Sequence, residues 1–238
     1  MKRVEQQASF VLHERPYRET SLLVEAFTRD HGRVGLVARG VRTQRPRIAR
    51  SSLAPLQPVV LSWNGRGELA TLSAAEPVGM ALRANGEGLL GALYVNELLV
   101  RLLPRGDSQP ELFERYAACL ADLAGGDAPA WSLRRFERDA LAELGYALEL
   151  AHEADAGGAI DPAREYSYDP ERGAVPWAIR PLAPRVTGAV LIALARESEP
   201  ESASLRAMRG LMRALLRHHL GGRELNAWRM FAGTTRTG

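Results

Sequence analysis

Five short segments of alternating or β-branched residues lie within the first eighty positions of this 238-residue chain. Each is the length of one strand, and they lie at residues 8–14, 22–29, 33–39, 58–63 and 69–74. Turn residues connect them, as in Asp30-His31-Gly32 and Asn64-Gly65-Arg66-Gly67. Most of these strands have no helix between them. The pattern favours a small closed sheet, because closure removes the unpaired edges of short strands.

The OB-fold is the commonest five-stranded barrel of this size, so we predict an N-terminal OB-fold over residues 1–78. From residue 79 the pattern becomes helical, with helices predicted over residues 88–103, 110–123, 129–144, 185–196, 203–220 and 225–231. Residues 146–184 are rich in Gly and Pro and predict a loop-rich excursion with short strands near 165–168 and 175–179. The predicted fold class is α+β, with a barrel domain at 1–78 and a mostly α-helical domain at 79–238.

The composition is that of an ordinary globular protein, with 46% hydrophobic and 25% charged residues. No apolar run approaches the roughly 20 residues that cross a bilayer, and the polar start lacks the hydrophobic region of a signal peptide. We therefore expect a cytoplasmic protein without membrane contact. The single cysteine, Cys119, excludes an internal disulfide and a thiolate metal cage, and its apolar surroundings predict a small core residue.

Positive charge is concentrated at the front of the chain. Residues 1–50 contain eleven Lys and Arg against five Asp and Glu, whereas the whole chain has a formal net charge of only +3. Such asymmetry is typical of nucleic-acid or membrane contact, and no basic amphipathic helix with exposed aromatic residues favours the membrane. Residues 40–50 carry four arginines and no acid, with Gly40 and Pro46 as breakers. They predict a flexible cationic arm that binds a polyanion.

An OB-fold binds nucleic acid across its second and third strands, between the loop that joins strands 1 and 2 and the loop that joins strands 4 and 5. These elements supply the predicted DNA-binding residues Arg15, Tyr17, Arg18, Arg33, Arg39, Arg42, Arg45, Arg47, Arg50 and Arg66. The arginines would contact phosphates, and an aromatic ring would stack on a base. For Tyr17, stacking and plain surface packing are equally consistent with the sequence. Phe27 and Trp63 fit the barrel core better.

A second set of arginines lies on one side of the helix predicted over residues 203–220. This stripe consists of Arg206, Arg209, Arg213 and Arg217, with almost no acid inside the helix to neutralise it. It is either a second DNA surface or a solvated helix face.

The sequence contains no motif for catalysis or for a cofactor. It lacks the phosphate-binding loop G-x-x-x-x-G-K-[ST], the G-x-G-x-x-G fingerprint, H-E-x-x-H and G-x-S-x-G. His218 and His219 are adjacent and face about 100° apart on a helix, so they do not form the usual i, i+4 metal pair. His152, Glu153 and Asp155 fit a solvated loop better than a metal site. We predict a protein that is not an enzyme and that has no cofactor and no metal.

Several separated motifs resemble, in order, those of the RecO family of bacterial recombination mediators. They are FVLHERPYRETSLLVEAFTRDHGRVGLVARGVR, LAPLQPVVLSWNGRGEL, ALYVNELLVRLLP, LRRFERDALAELGY and HLGGRELNAWRMF. The resemblance implies a nucleoid-associated protein that binds single- and double-stranded DNA and anneals complementary strands. It also implies that the protein, in concert with RecR, helps to load RecA onto DNA coated by single-stranded DNA-binding protein. Many family members bind zinc through four cysteines in the region corresponding to residues 146–180. This sequence has none there and resembles the zinc-free branch.

The resemblance further implies that the helical domain binds the acidic C-terminal tail of the single-stranded DNA-binding protein. A hydrophobic groove rimmed by arginine would suit that tail, and the predicted contact is Leu133, Arg134, Arg135 and Phe136. Arg135 could instead pair with Asp139, one helical turn further on.

Two other function classes remain open from the residues alone. One is an RNA-binding OB-fold protein, because phosphate contacts and base stacking serve either polymer. The other is a protein adaptor whose arginines bind acidic partners rather than DNA.

Overall fold

The computed structural model describes residues 3–65, 67–79, 83–126, 128–155, 157–178, 184–197 and 199–234. Its contacts divide the chain into two compact units. Unit 1 is Met1–Gly126 with Leu225–Gly238, and unit 2 is Asp127–Glu224. The boundary predicted at residue 78 follows the change from strand to helix, whereas these units group three helices with the barrel. The division into two folding domains at residue 78 stays a prediction.

Five strands form a closed barrel in unit 1. They are β1 Arg3–Tyr17, β2 Ser21–Thr28, β3 Gly32–Ala38, β4 Pro58–Asn64 and β5 Ala70–Pro77. The order around the barrel is β1-β2-β3-β5-β4. The β3–β5 pairing is parallel, and the other four pairings are antiparallel. This closed five-stranded barrel is the OB-fold that the sequence predicts.

Alternation along the strands decides which side chains enter the barrel. On β3, Leu36 and Ala38 are fully buried in the core, and Val34 packs against it. The preceding strand contributes Leu22, Val24 and Ala26 to the same core cluster. The opposite side of both strands faces outward, which leaves Glu25, Phe27 and Arg33 on the outer surface of the barrel.

Three helices belong to the same unit as the barrel: α1 Gly86–Leu102, α2 Pro110–Gly125 and α6 Asn226–Thr234. The outer surface of the barrel buries Phe10 and Phe27 against α2, where their ring centroids lie 5.4 and 5.5 Å from that of Phe113. Cys119 is buried on α2, as predicted. Within the described ranges, no helix combines the length and apolar character needed to cross a membrane.

Buried Asn96 on α1 ties the barrel to both helices. Its Nδ2 donates to the Leu12 carbonyl of β1 at 2.9 Å, and its Oδ1 accepts from the Tyr116 hydroxyl of α2 at 2.6 Å. Burial raises the pKa of Tyr116, so this hydroxyl keeps its proton and remains a donor. The three layers are therefore joined by satisfied polar groups as well as by apolar packing.

Unit 2 combines helices with a small antiparallel sheet of order β7-β6-β8. Its elements are α3 Pro129–Glu143, β6 Glu165–Asp169, β7 Gly173–Pro176, β8 Arg185–Thr187, α4 Gly188–Ala195 and α5 Ser202–His219. The helix predicted over 185–196 is wrong in its first turn, because Arg185 and Val186 pair with β6 and the helix begins at Gly188. The strand predicted near 175–179 ends at Pro176, and residues 179–183 lie outside the described residues.

Hydrogen bonds join the loop-rich excursion to its sheet. Buried Glu153 accepts from the Arg164 guanidinium and from the Tyr166 hydroxyl, each at 2.9 Å. The Tyr168 hydroxyl donates to the Glu149 carbonyl at 3.1 Å. Over the part of the chain that is described, no three His, Cys, Asp or Glu side chains are arranged to hold a metal ion.

Candidate nucleic-acid interface

The predicted DNA-binding residues separate into two groups on the barrel. The first group lies in the β1–β2 turn region and in the segment that follows β3. We call the arginines of this group the cationic end, and they are Arg15, Arg18, Arg39, Arg42, Arg45, Arg47 and Arg50; Tyr17 lies in the same region. The second group contains Arg33, on the outer face of β2 and β3. Arg66, in the β4–β5 hairpin, lies outside the described residues.

Strand pairing brings the two loops of the cationic end together. Leu22, just after the β1–β2 turn, pairs with Ala38 at the end of β3. The chain then continues so that the Arg42 backbone N–H donates to the Thr20 carbonyl in the turn, at 2.9 Å. Arginines that are distant in the sequence therefore lie at one end of the barrel.

Most guanidinium groups at the cationic end are exposed and unneutralised. No described residue forms an ion pair or hydrogen bond with the side chains of Arg15, Arg39, Arg42, Arg45 or Arg47. Arg50 differs, since its Nη2 lies 2.9 Å from Glu14 Oε1, although the Arg50 side chain remains 63% exposed. Exposed arginines without a carboxylate partner keep their donors available for phosphate oxygens.

The segment after β3 is anchored rather than flexible, which corrects the sequence-based expectation. Val41 and Ile48 are only 3% and 8% exposed and belong to the barrel core, as does Leu53 in the 3-10 helix Arg50–Leu53. Full burial of one such side chain contributes roughly 1.5 to 3 kcal/mol. The two isolated apolar residues among the arginines were the sequence signal for this anchoring. They hold the cationic stretch on the barrel from both sides.

On the outer face of β2 and β3, Arg33 is already engaged. Its Nη1 donates to Glu25 Oε2 and its Nε to the Leu103 carbonyl, both at 2.9 Å. Arg105 donates to the other oxygen of Glu25 and, at 3.1 Å, to the Glu68 carbonyl. The Arg33 and Glu25 side chains are 16% and 11% exposed. Arg33 was predicted to be a free cation that contacts DNA, but it forms a partly buried ion pair with Glu25.

The connection between α1 and α2, residues 103–109, covers this face of the barrel. The Gly106 N–H donates to the Arg33 carbonyl at 2.9 Å. Gly32 has a φ of +61°, and a Cβ there would lie 1.7 Å from the Asp107 carbonyl oxygen, so only glycine fits. Phe27, on the same face, is fully buried. The groove in which OB-folds usually bind nucleic acid is thus filled by the chain itself.

The aromatic side chains of the barrel are largely withdrawn from solvent. Trp63 lies in the barrel core, as predicted. Phe27 is buried but lies on the outer face of the barrel against α2, so its assignment to the barrel core was wrong. Tyr17 is half-buried, and the Arg18 guanidinium carbon lies 5.2 Å from its ring centroid. Base stacking by Tyr17 stays a prediction.

The arginine stripe on α5 is half neutralised. Arg206 and Arg209 are exposed and have no ion-pair partner among the described residues. Arg213 Nη2 lies 2.7 Å from Glu224 Oε2, and Arg217 Nε lies 3.7 Å from Glu224 Oε1. Glu224 lies after the end of α5, so the absence of acids within the helix did not reveal this neutralisation.

Three of the four residues predicted to bind the partner tail are buried in unit 2. Leu133, Arg134 and Phe136 are each less than a tenth exposed, and Arg134 pairs with buried Glu137 at 2.5 Å. These side chains do not form the expected accessible groove, because the inner face of α3 packs into the unit. Arg135 is half-buried. Asp139, the partner suggested for Arg135, forms an ion pair with Arg138 at 2.7 Å, and its pairing with Arg135 stays a prediction.

These observations define the chain as an OB-fold protein with an exposed cationic end and a covered ligand groove. The family model described as Recombination protein O N terminal matches residues 1–81, and the model described as Recombination protein O C terminal matches residues 83–229. The chain belongs to the RecO family.

Curated relatives match over nearly their full length. The protein named DNA repair protein RecO in Xanthomonas campestris pv. campestris strain B100 is 46% identical to this chain over 239 residues, with 99% of each covered. The protein of that name in Xanthomonas euvesicatoria pv. vesicatoria is 46% identical over 241 residues, with 98% of each covered. The one in Stenotrophomonas maltophilia strain K279a is 47% identical over 234 residues, with 95% of this chain and 96% of the relative covered.

Proposed function

We propose that this chain is a DNA-binding recombination mediator. It anneals complementary single strands and, with RecR, helps to load RecA onto DNA coated by single-stranded DNA-binding protein. Family membership and the relatives' name, DNA repair protein, support the biological role. The structural observation that supports DNA binding is the cationic end, where Arg15, Arg39, Arg42, Arg45 and Arg47 are exposed and have no carboxylate partner among the described residues.

Annealing presents an electrostatic problem that such a surface addresses. Each strand carries about one negative charge per nucleotide, and only salt screens the repulsion between two strands. The cationic end neutralises part of one strand. Arg206 and Arg209, which have no ion-pair partner in the described part of the chain, are the proposed contact for a second strand. This role requires electrostatics and positioning, and it needs no catalytic group or nucleotide cofactor.

The decisive experiment removes the free charge from the cationic end by changing Arg39, Arg42, Arg45 and Arg47 to Ala. On single strands, each lost phosphate contact reduces the magnitude of the slope of log K against log salt by about 0.7. The slope of the four-arginine variant should therefore be shallower by about 3. Affinity at low salt should fall about 100-fold or more. Fluorescence anisotropy over a salt series measures both quantities.

Two controls make this experiment specific. Changing the exposed arginines Arg83, Arg101, Arg223 and Arg229 to Ala removes the same net charge away from the cationic end and should leave the slope nearly unchanged. Changing the four cationic-end arginines of the alanine variant to Lys keeps the charge and should leave the salt slope nearly unchanged. If the alanine variant of the cationic end keeps the parental affinity and slope, this surface is not the DNA site.

The alternative functions predict different results in simple binding assays. An RNA-binding protein would prefer RNA when DNA and RNA oligonucleotides compete. A protein adaptor would give no gel shift with bare oligonucleotides at low salt. Strand-annealing kinetics, with and without single-stranded DNA-binding protein, then test the mediator role directly.

Binding of the acidic partner tail by unit 2 is also part of the proposal. Arg135 is the residue to test, because it is the accessible member of the predicted site, whereas a change at buried Arg134 would disturb its pairing with Glu137. We expect Arg135→Glu to weaken tail-peptide binding about tenfold or more through charge repulsion. Unchanged peptide affinity would place the tail elsewhere.

A further inference from the structure

We propose that the cationic end binds the sugar-phosphate backbone and leaves the bases unbound, so that a captured strand remains ready to pair. The inference rests on the proposed function and specifies its substrate: a polyanionic backbone, irrespective of base identity or of whether the strand is paired. It follows from which side chains the barrel exposes and which it buries.

The first step is the absence of a stacking platform on the described barrel. OB-folds that bind single strands stack successive bases on exposed aromatic rings. Residues 1–78 contain four Phe, Trp or Tyr. Phe10, Phe27 and Trp63 are buried, and Tyr17 is half-buried beside the Arg18 guanidinium. One partly covered ring does not make a row of stacking sites.

The second step is the filled groove on β2 and β3. Residues 103–109 and α2 lie where bases would be placed in an open OB-fold. The arginines of this face, Arg33 and Arg105, already donate to Glu25 and to backbone carbonyls. A nucleic acid would have to displace these bonds and this segment to reach the groove.

The third step is the chemistry of the surface that remains. The cationic end exposes guanidinium groups, which match phosphate oxygens bidentately. The anchors Val41 and Ile48 hold the arginine-bearing segment against the barrel core, so the charges are presented from a supported backbone. A surface of this composition binds single-stranded and double-stranded DNA through the element that they share, the phosphate backbone.

This mode of binding suits annealing better than stacking does. A stacked base must leave its aromatic partner before it pairs, which lowers the equilibrium constant for pairing about 5- to 150-fold for each base held. A strand held by its phosphates keeps its base edges accessible. Two such strands can therefore pair while their charge is neutralised.

The main test compares a thymidine oligonucleotide with an abasic deoxyribose-phosphate strand of the same length. We expect dissociation constants within about twofold of each other and equal salt slopes. A duplex should compete for the same protein, and the four-arginine alanine variant should lose affinity for all three ligands together. An abasic strand that binds tenfold or more weakly than the thymidine strand would overturn the inference.

Variants at Tyr17 provide the second test. We expect Tyr17→Ala to change single-strand affinity and annealing rate by less than about twofold. If Tyr17 stacks on a base, Tyr17→Ala should weaken binding about 5- to 150-fold and Tyr17→Phe should restore it. That pattern would overturn backbone-only binding.

The two proposals fail in distinguishable ways. If the four-arginine alanine variant binds all DNA normally, the cationic end is not the site and the proposed function loses its structural support. If that variant loses DNA affinity but the parental protein discriminates against abasic strands, the site stands and only the backbone inference is wrong.

Discussion

Arg33 lies near the start of β3 and Arg39 directly follows its end, and the two arginines have different environments. Arg33 is mostly buried and shares Glu25 with Arg105 under the connection between α1 and α2. Arg39 is exposed, and no described residue neutralises it. The comparison shows that the residue type does not decide the role of a cation on this barrel. The presence or absence of a carboxylate within reach decides it.

The energetics of the two environments explain why they coexist. A partly buried cation loses hydration, and a carboxylate must compensate it. An exposed cation stays hydrated and costs the fold little. Arg50 lies between the two cases, because its pairing with Glu14 is exposed on the arginine side and such pairs contribute only about 0 to 1 kcal/mol. A phosphate can therefore compete with Glu14 for Arg50.

The largest expected effect in the comparison of Arg33 with Arg39 is a loss of stability when Glu25, the partner of Arg33, is removed. We expect Glu25→Ala to lower the free energy of unfolding by about 3 kcal/mol, because Arg33 and Arg105 would keep uncompensated charge under the covered face. Urea unfolding measures this value. Glu19→Ala, which removes an exposed carboxylate, should change it by less than about 0.5 kcal/mol. A loss below about 1 kcal/mol for Glu25→Ala would mean that this ion cluster does not hold the face together.

The next prediction compares two single variants, one that should weaken DNA binding and one that should lower stability. Arg39→Ala should lower the salt slope by about 0.7 and weaken single-strand binding severalfold, with little change in unfolding. Arg33→Ala should destabilise the protein while the salt slope of the folded fraction stays the same. Salt-dependent anisotropy and urea unfolding on both variants measure the two effects. A lowered slope in Arg33→Ala would break the distinction between the two arginines.

A smaller effect should follow from the one acid in the β1–β2 turn. Glu19 is exposed beside Arg18, so Glu19→Gln raises the local positive charge without disturbing packing. We expect DNA affinity to rise about two- to threefold at low salt and the gain to disappear at high salt. Glu111→Gln, an exposed change on α2, is the matched control and should have no effect. Equal gains for both variants would point to net charge rather than to the cationic end.

The smallest expected effect concerns His219, the last residue of α5 in unit 2. Burial, with a contribution from His218, lowers the pKa of His219, whose ring lies 4.2 Å from that of Tyr146. The folded state therefore disfavours the protonated imidazole. Its contribution to stability is complete above the unfolded pKa, about 6.5, and is lost as pH falls through that value towards the lowered folded pKa.

We expect His219→Phe, which retains a ring but cannot ionise, to show a flatter loss of stability between about pH 7.5 and 5.5 than the parental protein. Thermal or urea unfolding across this pH range tests it. An identical pH dependence in the variant would show that His219 does not contribute.

Local periodicity predicted most of the secondary structure because it depends on neighbouring residues. The helices α1, α2, α3 and α5 and most strands follow their apolar patterns to within a few residues, whereas β1 is about twice as long as predicted and begins at Arg3. The first turn of the helix predicted from residue 185 was wrong because Arg185–Thr187 pairs with a strand about twenty residues earlier, and no local pattern reports such pairing. The buried pairing of Arg134 with Glu137 was missed for a related reason, since the helix pattern did not show that this side packs inward.

The amino-acid sequence by itself determined the barrel, the run of helices and the concentration of arginines near the front, since alternation, turn residues and net charge are local properties. Only the tertiary structure decided which arginines remain free. Glu25 and Glu224 neutralise arginines at other positions of the fold, and residues 103–109 fill the groove that the barrel alone would offer. The physical reason is that neutralisation and burial depend on which groups meet in space, and distant parts of the chain meet only after folding.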